Sequence, residues 1–151
     1  MSERPFKLRA LGEIAVRCRD FERMVAFYGD VLGLERLHPG ERGGFHEGVA
    51  FFRFGESYAG HTAVLALFAD GVSGEPQNSG ELQVGHRSSL HHLALSLPWD
   101  EQDGAVAWLQ ARGHEVTVRR FEWVGWRGVF TRDPDGNLVE LVSADPEWHL
   151  T

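Results

Sequence analysis

Two short apolar runs set the pattern of the chain. Residues 11–18 read LGEIAVRC and residues 90–97 read LHHLALSL, each with an ionisable residue in third place. Their alternation of apolar and small or polar positions predicts β-strands. Each run leads into a stretch with helical spacing. Phe21, Val25 and Tyr28 recur about one turn apart in FERMVAFYGDVL, and Val106, Leu109 and Gly113 do so more weakly around EQDGAVAWLQAR. Asp20 and Asp100 stand where helix N-caps belong, and Gly33 and Gly113 where helices end. Three strand-like runs follow each helix, near residues 34–38, 49–54 and 62–68, then near 115–120, 127–131 and 137–142. DPDGN at 133–137 is a hairpin signal, because proline presets one turn dihedral and Asp-Gly or Gly-Asn supplies positive φ. Residues 70–89 are rich in Gly, Ser, Pro and Asn and predict a surface linker. The repeat therefore predicts an α+β fold of two βαβββ modules, about 11–69 and 90–144, within one domain spanning residues 1–151.

Strand alternation then sorts the side chains by face. Glu13, Ala15 and Arg17 share one face of the first strand, with Ile14, Val16 and Cys18 on the other. His92, Ala94 and Ser96 match the first set, and Leu93, Leu95 and Leu97 the second. In the last strand Leu138, Glu140 and Val142 share a face. Three strands thus each offer one ionisable group, Glu13, His92 and Glu140, among small neighbours that leave room for a cavity. Each also has a plainer reading: a solvated strand end for Glu13, a hydrogen-bonded core histidine for His92, and an ion pair for Glu140. A carboxylate within LVELV is costly to bury unpaired, so a metal ion or a cationic partner is expected beside it.

Composition narrows the possible partners. The 151 residues are 42% hydrophobic and 25% charged, with a formal net charge of −7. An acidic surface without a basic run disfavours nucleic acid. Cys18 is the one cysteine, so no internal disulfide can form, as suits a reducing compartment. The N-terminal MSERPFKLRALGE lacks a signal-peptide core, and no stretch approaches the ~20 apolar residues of a membrane span. A cytoplasmic location is expected.

The runs EIAVRCRDFERMVAFYGDVLGLE, HHLALS with ARGHEV, and RDPDGNLVEL resemble the vicinal oxygen chelate superfamily, which includes glyoxalases, extradiol dioxygenases and bleomycin-resistance proteins. The resemblance covers about residues 11–144. It implies a curved mixed sheet around a shared pocket, a small-molecule substrate or ligand, and a homodimer. Carried over by position, it implies a divalent metal (Fe, Mn, Ni or Zn) held by Glu13, His92 and Glu140, with Glu140 or Glu13 as a catalytic base. Aligning VLALF with LVELV puts Ala66, which cannot bind metal, at the usual fourth ligand position. The implied activity is a metal-dependent lyase, isomerase or dioxygenase acting on a small oxygenated molecule. The alternative is a metal-free binding or sequestration protein of the bleomycin-resistance type. Candidate substrate contacts are Arg17, Phe52, Phe54, His61, Trp123, Trp126 and Arg127. His38, His46, His86, His91, His114 and His149 are assigned no role.

Overall fold

Asp20 caps the first helix as its position predicts: its carboxylate accepts a hydrogen bond from the Arg23 N–H at 3.2 Å. In the computed structural model, which describes residues 8–38, 47–57, 59–71 and 90–147, this helix is α1, Phe21–Ala26. A single π-helical turn, Phe27–Val31, extends it, and the widened turn closes with the Leu32 N–H donating to the Phe27 carbonyl. Gly33, at φ +73°, ends the helical segment in the left-handed conformation that glycine adopts most readily.

The chain divides into two compact units, residues 1–77 and 78–151. Each contains a four-stranded mixed sheet. In the first unit the strands are β1 (Glu13–Cys18), β2 (Arg36–Leu37), β3 (Val49–Glu56) and β4 (Thr62–Ala69), in the order β1-β4-β3-β2. In the second they are β5 (Leu93–Ser96), β6 (Thr117–Phe121), β7 (Trp126–Arg132) and β8 (Leu138–Ala144), in the order β5-β8-β7-β6. In both units the first strand pairs in parallel with the last, across the intervening helix, and the remaining pairs are antiparallel. This is the α+β architecture that the βαβββ repeat predicts. The predicted boundary between modules falls in the linker, of which residues 72–89 lie outside the described set.

The helices decide which face of each sheet becomes core. In the first unit Phe52, Leu65 and Leu67 are sealed with Met24, Phe27 and Tyr28. Gly29 sits against the Phe52 ring, where a Cβ would stand 3.2 Å from Cε1. In the second unit α2 (Gln102–Ala111) lies on β7 and β8, with Leu109, Val129 and Val139 buried. Fully buried Gln102 tethers it: its Nε2 donates to the carbonyls of Arg127 at 2.7 Å and Leu141 at 3.1 Å. Asp100 does not cap this helix. Pro98 instead opens a 3-10 turn, Trp99–Glu101, that occupies the place of a cap and makes no side-chain cap bond. The C-terminus follows the sequence: Gly113, at φ +80°, and His114 return their N–H groups to Gln110 and Leu109.

One glycine in α2 has no packing reason. Gly104 is exposed, and a Cβ there would meet nothing within 4 Å. Gly104→Ala is expected to stabilise the protein by about 1 kcal/mol, through lower backbone entropy in the unfolded chain. A thermal scan should show Tm raised by about 2–4 °C.

Candidate functional site

His92 immediately precedes β5, and Glu140 lies at the centre of β8. The register pairs Ala94 with Glu140 across the two strands, on the face opposite α2. His92, two residues before Ala94, shares that face. Its Nε2 stands 3.1 Å from Glu140 Oε2, and Glu140 is only 6% exposed. The group beside the buried Glu140 carboxylate is thus an imidazole. The other imidazole nitrogen is also engaged: His92 Nδ1 lies 2.7 Å from His91 Nδ1, so one of the two donates. The Phe130 ring, directly paired with Glu140, meets the His92 ring edge-on with centroids 6.4 Å apart. His92 is held on three sides, with its Nε2 aimed at the carboxylate.

The first unit carries the same frame with a different filling. There the register pairs Ala15 with Ala66, as Ala94 pairs with Glu140. Glu13 therefore occupies the place of His92, and Ala66 the place of Glu140. The alignment of VLALF with LVELV is the alignment that the strands adopt. Glu13 is exposed and shares its face with exposed Arg17. Among the described residues of either unit, no group of three His, Cys, Asp or Glu side chains that could hold a metal ion is gathered, and the second unit brings two such donors together, His92 and Glu140.

Several expected substrate contacts fall elsewhere. Phe52 is 1% exposed and belongs to the core beneath Gly29, on the face opposite Glu13, so it offers no open wall. Phe54 is half-buried beside the register shift between Arg53 and Gly55. Arg127 faces α2, where its Nη2 donates to Asp103 Oδ1 at 2.7 Å, so its guanidinium is turned from the His92 face. Trp123 is 80% exposed in the turn between β6 and β7. Trp126 begins β7 on the face of Glu140 and stays partly open. The His61 ring rests against Gly12, where a Cβ would stand 3.3 Å from its Cε1, just before Glu13. His46, His86 and His149 lie outside the described residues.

Three participants escaped the sequence reading. His91 and Phe130 bracket His92, and Gly128 in β7 lies beneath the Glu140 carboxylate. The doubled histidine at 91–92 and a glycine inside the strand-like run WRGVF were the available signals. A cleft of about 430 Å³ opens along the same face, lined among others by Phe130, Leu138, Thr117 and Arg132, with His114 at its rim. Thr131 also borders it, its hydroxyl buried with no hydrogen-bond partner. Phe130, which pairs with Glu140 and abuts the His92 ring, is the residue of the cleft wall that reaches the His92–Glu140 pair. Among the described residues, no helix is long and apolar enough to cross a membrane.

Comparison with known proteins finds a family model, described as the Glyoxalase/Bleomycin resistance protein/Dioxygenase superfamily, matching residues 10–141. A lactoylglutathione lyase of Salmonella typhimurium is 28% identical over 131 residues, covering 85% of this chain and 88% of the relative. The crystal structure of a glyoxalase/dioxygenase from Nostoc punctiforme aligns at a TM-score of 0.66 with 27% identity, covering 97% of this chain and 98% of that one. A lactoylglutathione lyase structure from Agrobacterium tumefaciens shares the fold, with a TM-score of 0.61 and 23% identity over 92% of this chain and 95% of its own.

Proposed function

Since the chain belongs to the glyoxalase/bleomycin resistance protein/dioxygenase superfamily, we propose that it is a divalent-metal-dependent, glyoxalase-like lyase acting on a small oxygenated substrate. The observation that carries this reading is the convergence of His92 Nε2 and Glu140 Oε2, 3.1 Å apart, at two paired strands of the second unit. An imidazole nitrogen and a carboxylate oxygen aimed at each other are a donor pair suited to a borderline divalent cation. In this reading the Glu140 carboxylate also serves as the base. When bound, the metal supplies Lewis acidity toward a substrate oxygen.

The chain's own residues do the remaining work. Burial keeps the Glu140 carboxylate out of bulk water, which strengthens its attraction for a cation. His91 and the Phe130 ring hold His92 in one orientation. The cleft beyond Phe130 offers Arg132 and Thr117 as polar contacts and Phe130 and Leu138 as apolar ones, a mixture suited to a small polar molecule with an apolar part.

Lactoylglutathione lyase turnover, measured after exhaustive chelation and again after adding Zn²⁺, Ni²⁺, Mn²⁺ or Fe²⁺ singly, tests this reading. Activity is expected to vanish on chelation and to return with at least one ion. Turnover indifferent to chelation would overturn metal dependence.

One observation favours a second reading, a metal-free binding protein. Ala66 removes a carboxylate from the first unit, and a sequestering protein has no need of that group. That reading predicts tight binding of a ligand with an apolar part and no response to metal.

A further inference from the structure

Gly128 lies in the middle of β7, and its backbone is not in the left-handed region that calls for glycine. A glycine inside a strand weakens it and commonly marks a close approach by another group. Here the group is identifiable. A Cβ on residue 128 would fall on Glu140 Oε1, and would stand 2.7 Å from Phe130 Cε2 and 3.0 Å from Cζ. The carboxylate lies across the bare backbone of the neighbouring strand, and the ring that abuts His92 fills the rest of the space.

The other unit provides an internal control. Glu140 corresponds in register to Ala66, Phe130 to Phe51 and Gly128 to Val49. Where the carboxylate is present, the diagonal position on the adjacent strand is empty. Where the carboxylate is replaced by a methyl group, that position carries a valine, buried at 9% exposure. The two positions trade volume in opposite directions, as close packing requires of neighbours on one face.

We propose that Gly128 is the positioning residue of the His92–Glu140 pair: the missing side chain is the cradle that sets the Glu140 carboxylate against His92 Nε2. This deepens the metal reading, and rests on it for the consequence on metal affinity. It also follows that the first unit cannot regain a carboxylate at residue 66 by that change alone, because Val49 occupies the cradle.

Gly128→Ala in the full chain is the test. In the metal-free protein, long-range ¹H–¹⁵N spectra of the His92 ring are expected to move toward those of Glu140→Gln. Zn²⁺ affinity by calorimetry is expected to fall about 10–100-fold, the usual range for losing a group that orients a ligand. Combining Gly128→Ala with Glu140→Asp, one methylene shorter, is expected to bind Zn²⁺ more tightly than Gly128→Ala alone, although Glu140→Asp weakens binding by itself. Such a reversal marks direct coupling between the two positions, which general destabilisation does not produce. An unmoved His92 spectrum, unchanged Zn²⁺ affinity in Gly128→Ala, or absence of the reversal would overturn the proposal. If the wild-type protein takes up no metal, the metal reading fails and the His92 spectrum alone decides for or against Gly128. Should Gly128→Ala not fold, adding Glu140→Ala must restore folding, and failure to do so overturns the proposal as well.

Discussion

Glu140→Gln is expected to lower divalent-metal affinity by more than about 100-fold, since losing a ligand's supporting partner already costs about 10–100-fold. The substitution keeps the shape of the side chain and removes its charge. Glutamine at this position can still hydrogen-bond His92, so the buried position stays satisfied and the fold is expected to persist. Metal binding has no such substitute, because a neutral amide oxygen does not neutralise a dication. Calorimetric titration with Zn²⁺ or Ni²⁺, alongside urea denaturation, separates the two effects. Affinity should collapse while the unfolding midpoint moves little. A parallel loss of both would mean that Glu140 serves stability and not ligation.

Phe52→Ala is expected to destabilise the protein by about 3–5 kcal/mol, the cost of emptying a large aromatic site that cannot collapse. Phe52 is fully buried beneath α1 and its π-helical extension, and Gly29 is packed directly on its ring. Removing the ring leaves a void among Met24, Phe27, Tyr28, Leu65 and Leu67, all of them sealed from solvent. Urea denaturation should register the loss. Metal affinity, measured on the fraction still folded, should be unchanged, because Phe52 belongs to the core of the first unit and the His92–Glu140 pair lies in the second.

That contrast shows where sequence patterning succeeds and where it stops. Alternation groups Glu13 with Ala15 and Arg17, but which face of the sheet a helix covers, and so where Phe52 points, is settled by tertiary packing. An aromatic residue in a strand therefore reads equally as core or as pocket wall. Arg127 illustrates the same limit: β7 turns it toward α2, where Asp103 and Gln102 meet it. Asp100 misleads for a local reason, since Pro98 diverts the chain into a 3-10 turn before the helix begins.

The repeat itself was legible because its signals are local: a third-place ionisable residue, an amphipathic helix, and turn chemistry at DPDGN. There Asp133 Oδ1 accepts from the N–H groups of Asp135 and Asn137, and Gly136 adopts φ +88°. The equivalence of Ala66 and Glu140 was also legible, because it needs only the two strands aligned on their apolar positions. Gly128 and His91 were not. Their marks in the sequence, a glycine inside WRGVF and a doubled histidine, do not say which atoms of a neighbouring strand or residue they approach.

The proposed function requires that His92 and Glu140 form the donor pair of a divalent-metal site. Its most direct test is a calorimetric titration of chelator-treated wild-type protein with Zn²⁺, Ni²⁺, Mn²⁺ and Fe²⁺, repeated with His92→Ala. Saturable uptake of one ion per site, abolished by His92→Ala, is the predicted result. No uptake by the wild type, or uptake that survives His92→Ala undiminished, would contradict it.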